Sequence, residues 1–427
     1  MTKSFQFIHA ADIHLDSPLS GLAQYDESAA QELLIASRAA LENLVQLALD
    51  KSVAFVVIAG DLYDGDWRDY QTGLFLLEQL VRLQQADIPV YILHGNHDAE
   101  SKITRSLPFP DNVHTFSADM AESFTLKEHA VCLHGRSFPQ PAVHDNLVPD
   151  YPAPTPDHFN IGVLHTALEG SSAHANYAPC TLTELENKGY DYWALGHVHE
   201  HAIRCEDPYI VYPGNLQGRN IRETGPKGAC LITVEDHQVA EVVHVPLDVA
   251  RWARVPVKVS ADSTFADVVD LMGERIREAV VEHADDRLLA CRIELVGCAA
   301  VHGELKARID DLRQQAIGIT LLDGGGTAWI EKVKVLTTPA ADAAALAERQ
   351  DALGELFRAL PEAAEDEVFK AELTAIFHDL RSALPHKVRD EAEDELLRAA
   401  LDDDFDQLLT GVRDELLSDL MRSGGDG

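Results

Sequence analysis

The sequence predicts a layered α/β domain, then a small α+β domain, then a helical tail. Three observations carry this reading. Strand-length apolar runs alternate with amphipathic stretches as far as about residue 250, the pattern then changes to strands grouped around one helix, and from residue 339 Ala, Leu, Glu and Asp dominate.

Residues 5–10 read as the first strand. Residues 28–51 read as a helix, because Leu34, Leu41, Leu44, Val45 and Ala48 fall on one face. A buried strand over 53–59, a helix over 72–85 and a strand over 90–93 continue the alternation. Further strands are expected at 130–133, 160–165, 192–195, 209–211, 229–234 and 241–246, which completes a first domain over 1–250. The second, over 251–338, has strands at 254–259, 289–296 and 329–335 with helices at 265–282 and 303–315. The last stretch, 339–427, holds 23 acidic against nine basic residues, so an acidic helical arm is expected, packed on its own domain or docking a partner helix.

No apolar run approaches the ~20 residues of a membrane-spanning helix. The first residues lead directly into a strand, so the expected location is cytoplasmic. The six cysteines form no paired metal or disulfide spacing and read as small buried hydrophobes. The formal net charge of −36 is the wrong sign for a chain that grips nucleic acid unaided.

The chemistry-bearing residues follow strand ends, where an open α/β sheet gathers its ligand loops. Asp12 and His14 follow the first strand, Asp61 the second, and Asn96, His97 and Asp98 the third. His165 ends a later strand, and His197 and His199 close the set in Gly196-His197-Val198-His199. Any one of these pieces is common in proteins. Five separated strand ends that deliver Asp, His and Asn together point to a metal centre. Imidazole and carboxylate donors suit Mn²⁺, Fe²⁺ or Zn²⁺. Two such ions about 3.5–4 Å apart can clamp the attacking and leaving oxygens of a phosphoryl transfer. They need a shared carboxylate between them, and Asp61, the central one, is the candidate.

The order D-x-H, G-D, G-N-H-D, H, G-H-x-H resembles that of the calcineurin-like metallophosphoesterases. That likeness implies a layered β-sandwich flanked by helices over the first domain, and a minimal phosphatase would stop near residue 250. The small α+β cap and helical tail beyond it are a layout that resembles the SbcD-like proteins. The metallophosphoesterase likeness places Asp12, His14, Asp61 and His199 on one metal, and Asp61, Asn96, His165 and His197 on the other. His97 would orient or protonate the leaving oxygen, and Asp98 would fix the His97 ring. The run from Phe7 to Asp16, and Tyr212-Pro213-Gly214-Asn215-Leu216-Gln217-Gly218-Arg219 with Lys227-Gly228, resemble SbcD-like DNA repair exonucleases, in particular their YhaO branch. This implies two divalent metal ions, Mn²⁺ first with Fe²⁺ or Zn²⁺ as alternatives. It also implies DNA as substrate and an SbcC-like coiled-coil ATPase as partner, no membrane, and it allows a homodimer. Arg219, Arg222 and Arg136 are the candidate contacts to the phosphate backbone. Two rivals stand beside this reading: a phosphatase or phosphodiesterase acting on a small molecule or phosphoprotein, and a scaffold subunit that only grips DNA ends.

Overall fold

The computed structural model describes residues 4–17, 35–64, 70–100, 108–168, 177–322, 327–340, 347–350, 354–355, 357–359, 363, 366–384 and 395–413. Two six-stranded sheets make up most of the first compact unit. One has the order β12-β11-β1-β2-β3-β4, from β1 (Ser4–Ala10), β2 (Phe55–Ala59), β3 (Val90–Leu93), β4 (Val113–Thr115), β11 (Gly228–Glu235) and β12 (Gln238–Pro246). The other has the order β5-β6-β7-β8-β10-β9. Its strands are β5 (Glu122–Leu126), β6 (Val131–Gly135), β7 (Phe159–His165), β8 (Tyr192–Gly196), β9 (Ala202–Glu206) and β10 (Tyr209–Tyr212). The first sheet is antiparallel on its β11–β12 side and parallel from β1 through to β4, while the second is parallel at its centre and antiparallel at both edges.

Parallel neighbours need a crossover, and α1 (Ala36–Lys51) and α2 (Tyr70–Gln85) supply it on the first sheet, while the short α4 (Leu182–Asn187) lies between β7 and β8 of the second. Helix α1 buries Ala36, Ala40, Leu41, Leu44, Val45 and Ala48, the stripe its spacing predicts. The expected start at 28 and Leu34 lie outside the described residues. Successive strand residues face opposite ways, and the cores follow that period. Ile8, Ala10, Val56 and Ile58 pack under the helices, while Phe5, Phe7, Phe55, Val57 and Ala59 pack between the sheets. There Phe7 stacks on Phe55 at 4.8 Å and meets Tyr192 edge-on at 5.4 Å. Truncating such a buried ring to Ala costs about 3–5 kcal/mol. A third cluster, centred on Trp193, Leu195 and Tyr151, covers the far face of the second sheet.

Strands β4, β5 and β9 were not expected. All three lie at sheet edges, and their side chains are partly or fully exposed, so no apolar run or clean alternation marks them.

Beyond residue 250, β13 (Ala250–Lys258), β14 (Leu288–Ala299) and β15 (Ala328–Pro339) form a sheet in that order. They are longer than the sequence suggested. Compactness divides the chain at 254 and returns 279–291 and 326–331 to the first unit, where the expected boundary was at 250. The near ends of the strands carry Trp252, Ala290 and Trp329, which pack with Ile221 in the first unit. In the second unit, α5 (Phe265–Ala279) is one long helix, and the expected helix over 303–315 is two, α6 (His302–Ala307) and α7 (Ile309–Leu322). The tail contributes α8 (Glu367–Ala383), capped by the Asp366 carboxylate on the amides of Val368 and Phe369, and α9 (Glu395–Asp402). Among the described residues, no helix is long and apolar enough to cross a membrane.

Candidate metal centre

The carboxyl ends of β1, β2, β3, β7 and β8 bring the strand-end residues of both sheets together. To turn inward there, Asp12, His14, Asp61 and His197 adopt positive φ angles of 49°, 45°, 52° and 98°. Such backbone costs of order 1–3 kcal/mol per residue, and it persists where surrounding structure enforces it, most often at functional sites. The motif glycines serve close approach. A Cβ on Gly60 would stand 2.4 Å from His165 Nδ1, and one on Gly95 would stand 2.3 Å from Asp61 Oδ1.

The donors form overlapping groups. Asp12, His14 and His199 can offer ligand atoms to one cation, Asp12, Asp61 and His165 to another, and His14, Asp64 and His97 form a third such group. His14 Nε2 lies 3.2 Å from His199 Nε2, and His199 Nε2 lies 3.6 Å from Asp12 Oδ1. Asp61 Oδ2 reaches toward both groups, 3.9 Å from His14 Nε2 and 3.4 Å from His165 Nε2. Asn96 Oδ1 is 3.0 Å from His165 Nε2. The His197 ring lies 5.2 Å from that of His165, and the His197 amide donates to the Asp12 carboxylate at 2.9 Å.

These residues fit divalent metal. Two nitrogens bound to one ion at about 2.1 Å stand roughly 3 Å apart, the spacing of the His14 and His199 nitrogens. The far side of two rings is already committed. His165 Nδ1 lies 2.9 Å from the Ala59 carbonyl and His199 Nδ1 lies 2.8 Å from Glu223 Oε1, so each donates there and turns Nε2 toward the centre.

Burial alone would strip the charge from these rings. For His165 it is outweighed by Asp61 and Asp12, which raise its pKa to about 9. For His199 it is outweighed by Asp12 and Glu223, again to about 9. His14 has no such excess of acceptors, and burial with the nearby Arg219 cation pushes it down to about 4. Asp61 is driven far below the carboxylate range, burial notwithstanding, by His165 and His14. The cluster holds anionic carboxylates and surplus protons that a cation can replace.

The profile of the calcineurin-like phosphoesterases matches residues 5–201, and that of the YhaO metallophosphoesterase middle domain matches 252–338. A metallophosphoesterase of Bacillus subtilis (strain 168), YhaO, is 36% identical over 264 residues, which cover 61% of this chain and 64% of that one. The match thus spans less than two thirds of that relative. Among solved structures, a dimetal phosphatase from Danio rerio aligns over 54% of this chain and 95% of its own, at 13% identity and a TM-score of 0.36. TT1561 of Thermus thermophilus aligns over 54% and 97%, at 12% identity and a TM-score of 0.31.

Within residues 5–201, the partner of the His97 ring differs from expectation. His97 Nδ1 lies 3.1 Å from Asp64 Oδ1. Asp98 instead accepts the amides of Leu62, Tyr63 and Gly95 at 3.0–3.2 Å. It sits in the first turn of a short helix, α3 (Asn96–Glu100), and its carboxylate caps the two neighbouring loops. Asp64 carries no signal in the sequence, since it lies three residues past a strand-end motif.

The three arginines part company. Arg219 reaches the cluster: Nη2 is 3.1 Å from Glu223 Oε1 and Nη1 is 3.9 Å from Asp64 Oδ2. Arg136 pairs with Asp150 at 2.6 Å, and Arg222 is exposed, with its amide bonded to Asn220. Neither has a contact to the cluster among the described residues. Glu223, buried beside His199, had no signal in the sequence beyond its nearness to Arg219.

Proposed function

We propose that the chain is a Mn²⁺-dependent DNA exonuclease that hydrolyses phosphodiester bonds at a two-metal centre. One observation carries the hydrolytic part: two groups of donors share Asp12, and a third joins His14 to the partly exposed imidazole–carboxylate pair of His97 and Asp64, which we assign to proton transfer. Divalent ions bound there would supply an activated water and neutralise charge on the phosphoryl oxygens. Asp12, His14, Asp61 and His199 would hold one ion, and Asp61, Asn96, His165 and His197 the other, with Asp61 between them. His97 is about one third exposed and its Nδ1 faces Asp64, so Nε2 can give a proton to the departing sugar oxygen. Asp64 keeps that ring in the required tautomer. The Nη1 side of Arg219 would meet the non-bridging phosphate oxygens.

DNA is favoured by the SbcD-like opening and by the Tyr212 to Arg219 run, whose last residue reaches the cluster. The charge of −36 weighs the other way, and favours a phosphatase or phosphodiesterase on a small molecule as the second reading. An SbcC-like ATPase, docked through the helical region after residue 338, would supply the basic surface that holds DNA. Turnover of linear duplex DNA, single-stranded DNA, cyclic nucleotides and a chromogenic diester, each with Mn²⁺, separates the readings. DNA degraded from its ends supports the proposal. Turnover confined to the small substrates supports the rival, and metal binding without turnover supports an end-binding scaffold.

A further inference from the structure

We propose that Glu223 is a positioning residue for the metal centre, fixing His199 as a ligand and Arg219 as a phosphate contact through one buried carboxylate. The inference rests on the metal-centre reading above and adds to it a residue outside the motif set.

Glu223 lies in the connection between β10 and β11 and is 8% exposed. A carboxylate has about four acceptor positions, and here all are used. Oε1 takes His199 Nδ1 at 2.8 Å and Arg219 Nη2 at 3.1 Å. Oε2 takes Asn215 Nδ2 at 2.9 Å and the Arg219 amide at 2.7 Å. Such saturation is what a buried carboxylate needs to stay ionised without solvent.

The geometry has three consequences. With Nδ1–H given to Glu223, the His199 ring must present Nε2 to the centre, where it stands 3.2 Å from His14 Nε2. The same connection also grips the His199 backbone, since Lys227 Nζ donates to its carbonyl at 2.7 Å. Finally, the Arg219 guanidinium is held at one end by Glu223, and its other end reaches toward Asp64, which partners His97. One side chain thus sets a metal ligand and a substrate contact in register. An acceptor behind a ligating imidazole is commonly worth ten- to a hundredfold in metal affinity.

The test is Mn²⁺ titration of the full chain by calorimetry, for the wild type, Glu223→Gln and Asp61→Asn. Glutamine keeps the volume, but its NH₂ must face one of the two donor pairs. The expected result is two Mn²⁺ in the wild type, and in Glu223→Gln one of them bound about ten- to a hundredfold more weakly. Equal affinity in the variant overturns the role of Glu223 while leaving the metal centre standing. A wild type that binds no Mn²⁺ overturns the metal reading itself. If Glu223→Gln does not fold, histidine ¹⁵N NMR of the Zn²⁺-loaded wild type decides: His199 protonated at Nδ1 and metal-bound at Nε2 supports the role, and Nδ1 bound to metal overturns it.

Discussion

The Nε2 atoms of His14 and His199 stand 3.2 Å apart, with the Asp12 and Asp61 carboxylates beside them. With a pKa near 9, His199 carries a proton on both ring nitrogens at neutral pH, so in the metal-free protein its Nε2–H donates and the neutral His14 accepts at Nε2.

This gives a signed pH dependence. His165 and His199 have pKa values near 9 against an ordinary 6.5, so both carry protons at neutral pH until a cation displaces them. Mn²⁺ binding should release protons, and its apparent affinity should climb as pH rises from about 7 to 9. Calorimetry in two buffers of different ionisation enthalpy measures the release. A binding heat independent of buffer would contradict it. Because both pKa values are raised, their contribution to the metal-free fold is complete below about 6.5 and disappears as pH passes through about 9. The metal-free Tm should therefore fall over that window.

His97→Ala should keep both ions and lose about 10²–10⁴-fold in kcat, the usual contribution of a positioned proton donor. Asp64→Asn should lower kcat by less, since the imidazole remains while its orientation is no longer enforced. Metal content and kcat measured on the same preparations check both variants. Loss of metal in His97→Ala would move that side chain from proton donor to ligand.

Gly95→Ala should empty or weaken the centre without unfolding the protein, because the new methyl would stand 2.3 Å from Asp61 Oδ1 and displace it. Gly318→Ala is the control. It lies in α7, its Cβ meets nothing within 4 Å, and it should raise stability by about 0.5–1 kcal/mol with metal binding unchanged. Thermal melts and metal analysis of the two variants, compared side by side, test the prediction.

The metal donors were legible because Asp, His and Asn at successive strand ends make a pattern that loop solvation does not produce. Asp64 and Glu223 were not, since their roles depend on loops that fold back: Asp64 onto the His97 ring, Glu223 onto a histidine 24 positions earlier. Asp98 shows the converse. Adjacency to His97 suggested a ring contact, but a carboxylate in the first turn of a helix can satisfy buried loop amides instead, and Asp98 does so with three of them. The same logic governs the fold. Strands covered on both faces, such as β2 and β8, announce themselves as apolar runs, while the exposed edges β4, β5 and β9 do not.

The most direct test of the two-metal centre is the Mn²⁺ stoichiometry of the purified chain, wild type against Asp61→Asn, by elemental analysis after equilibrium dialysis. Two ions per wild-type chain, and the loss of both in Asp61→Asn, is the result expected of a carboxylate that reaches both donor groups. A wild type that holds fewer than two ions, or an Asp61→Asn variant that keeps both, would contradict it.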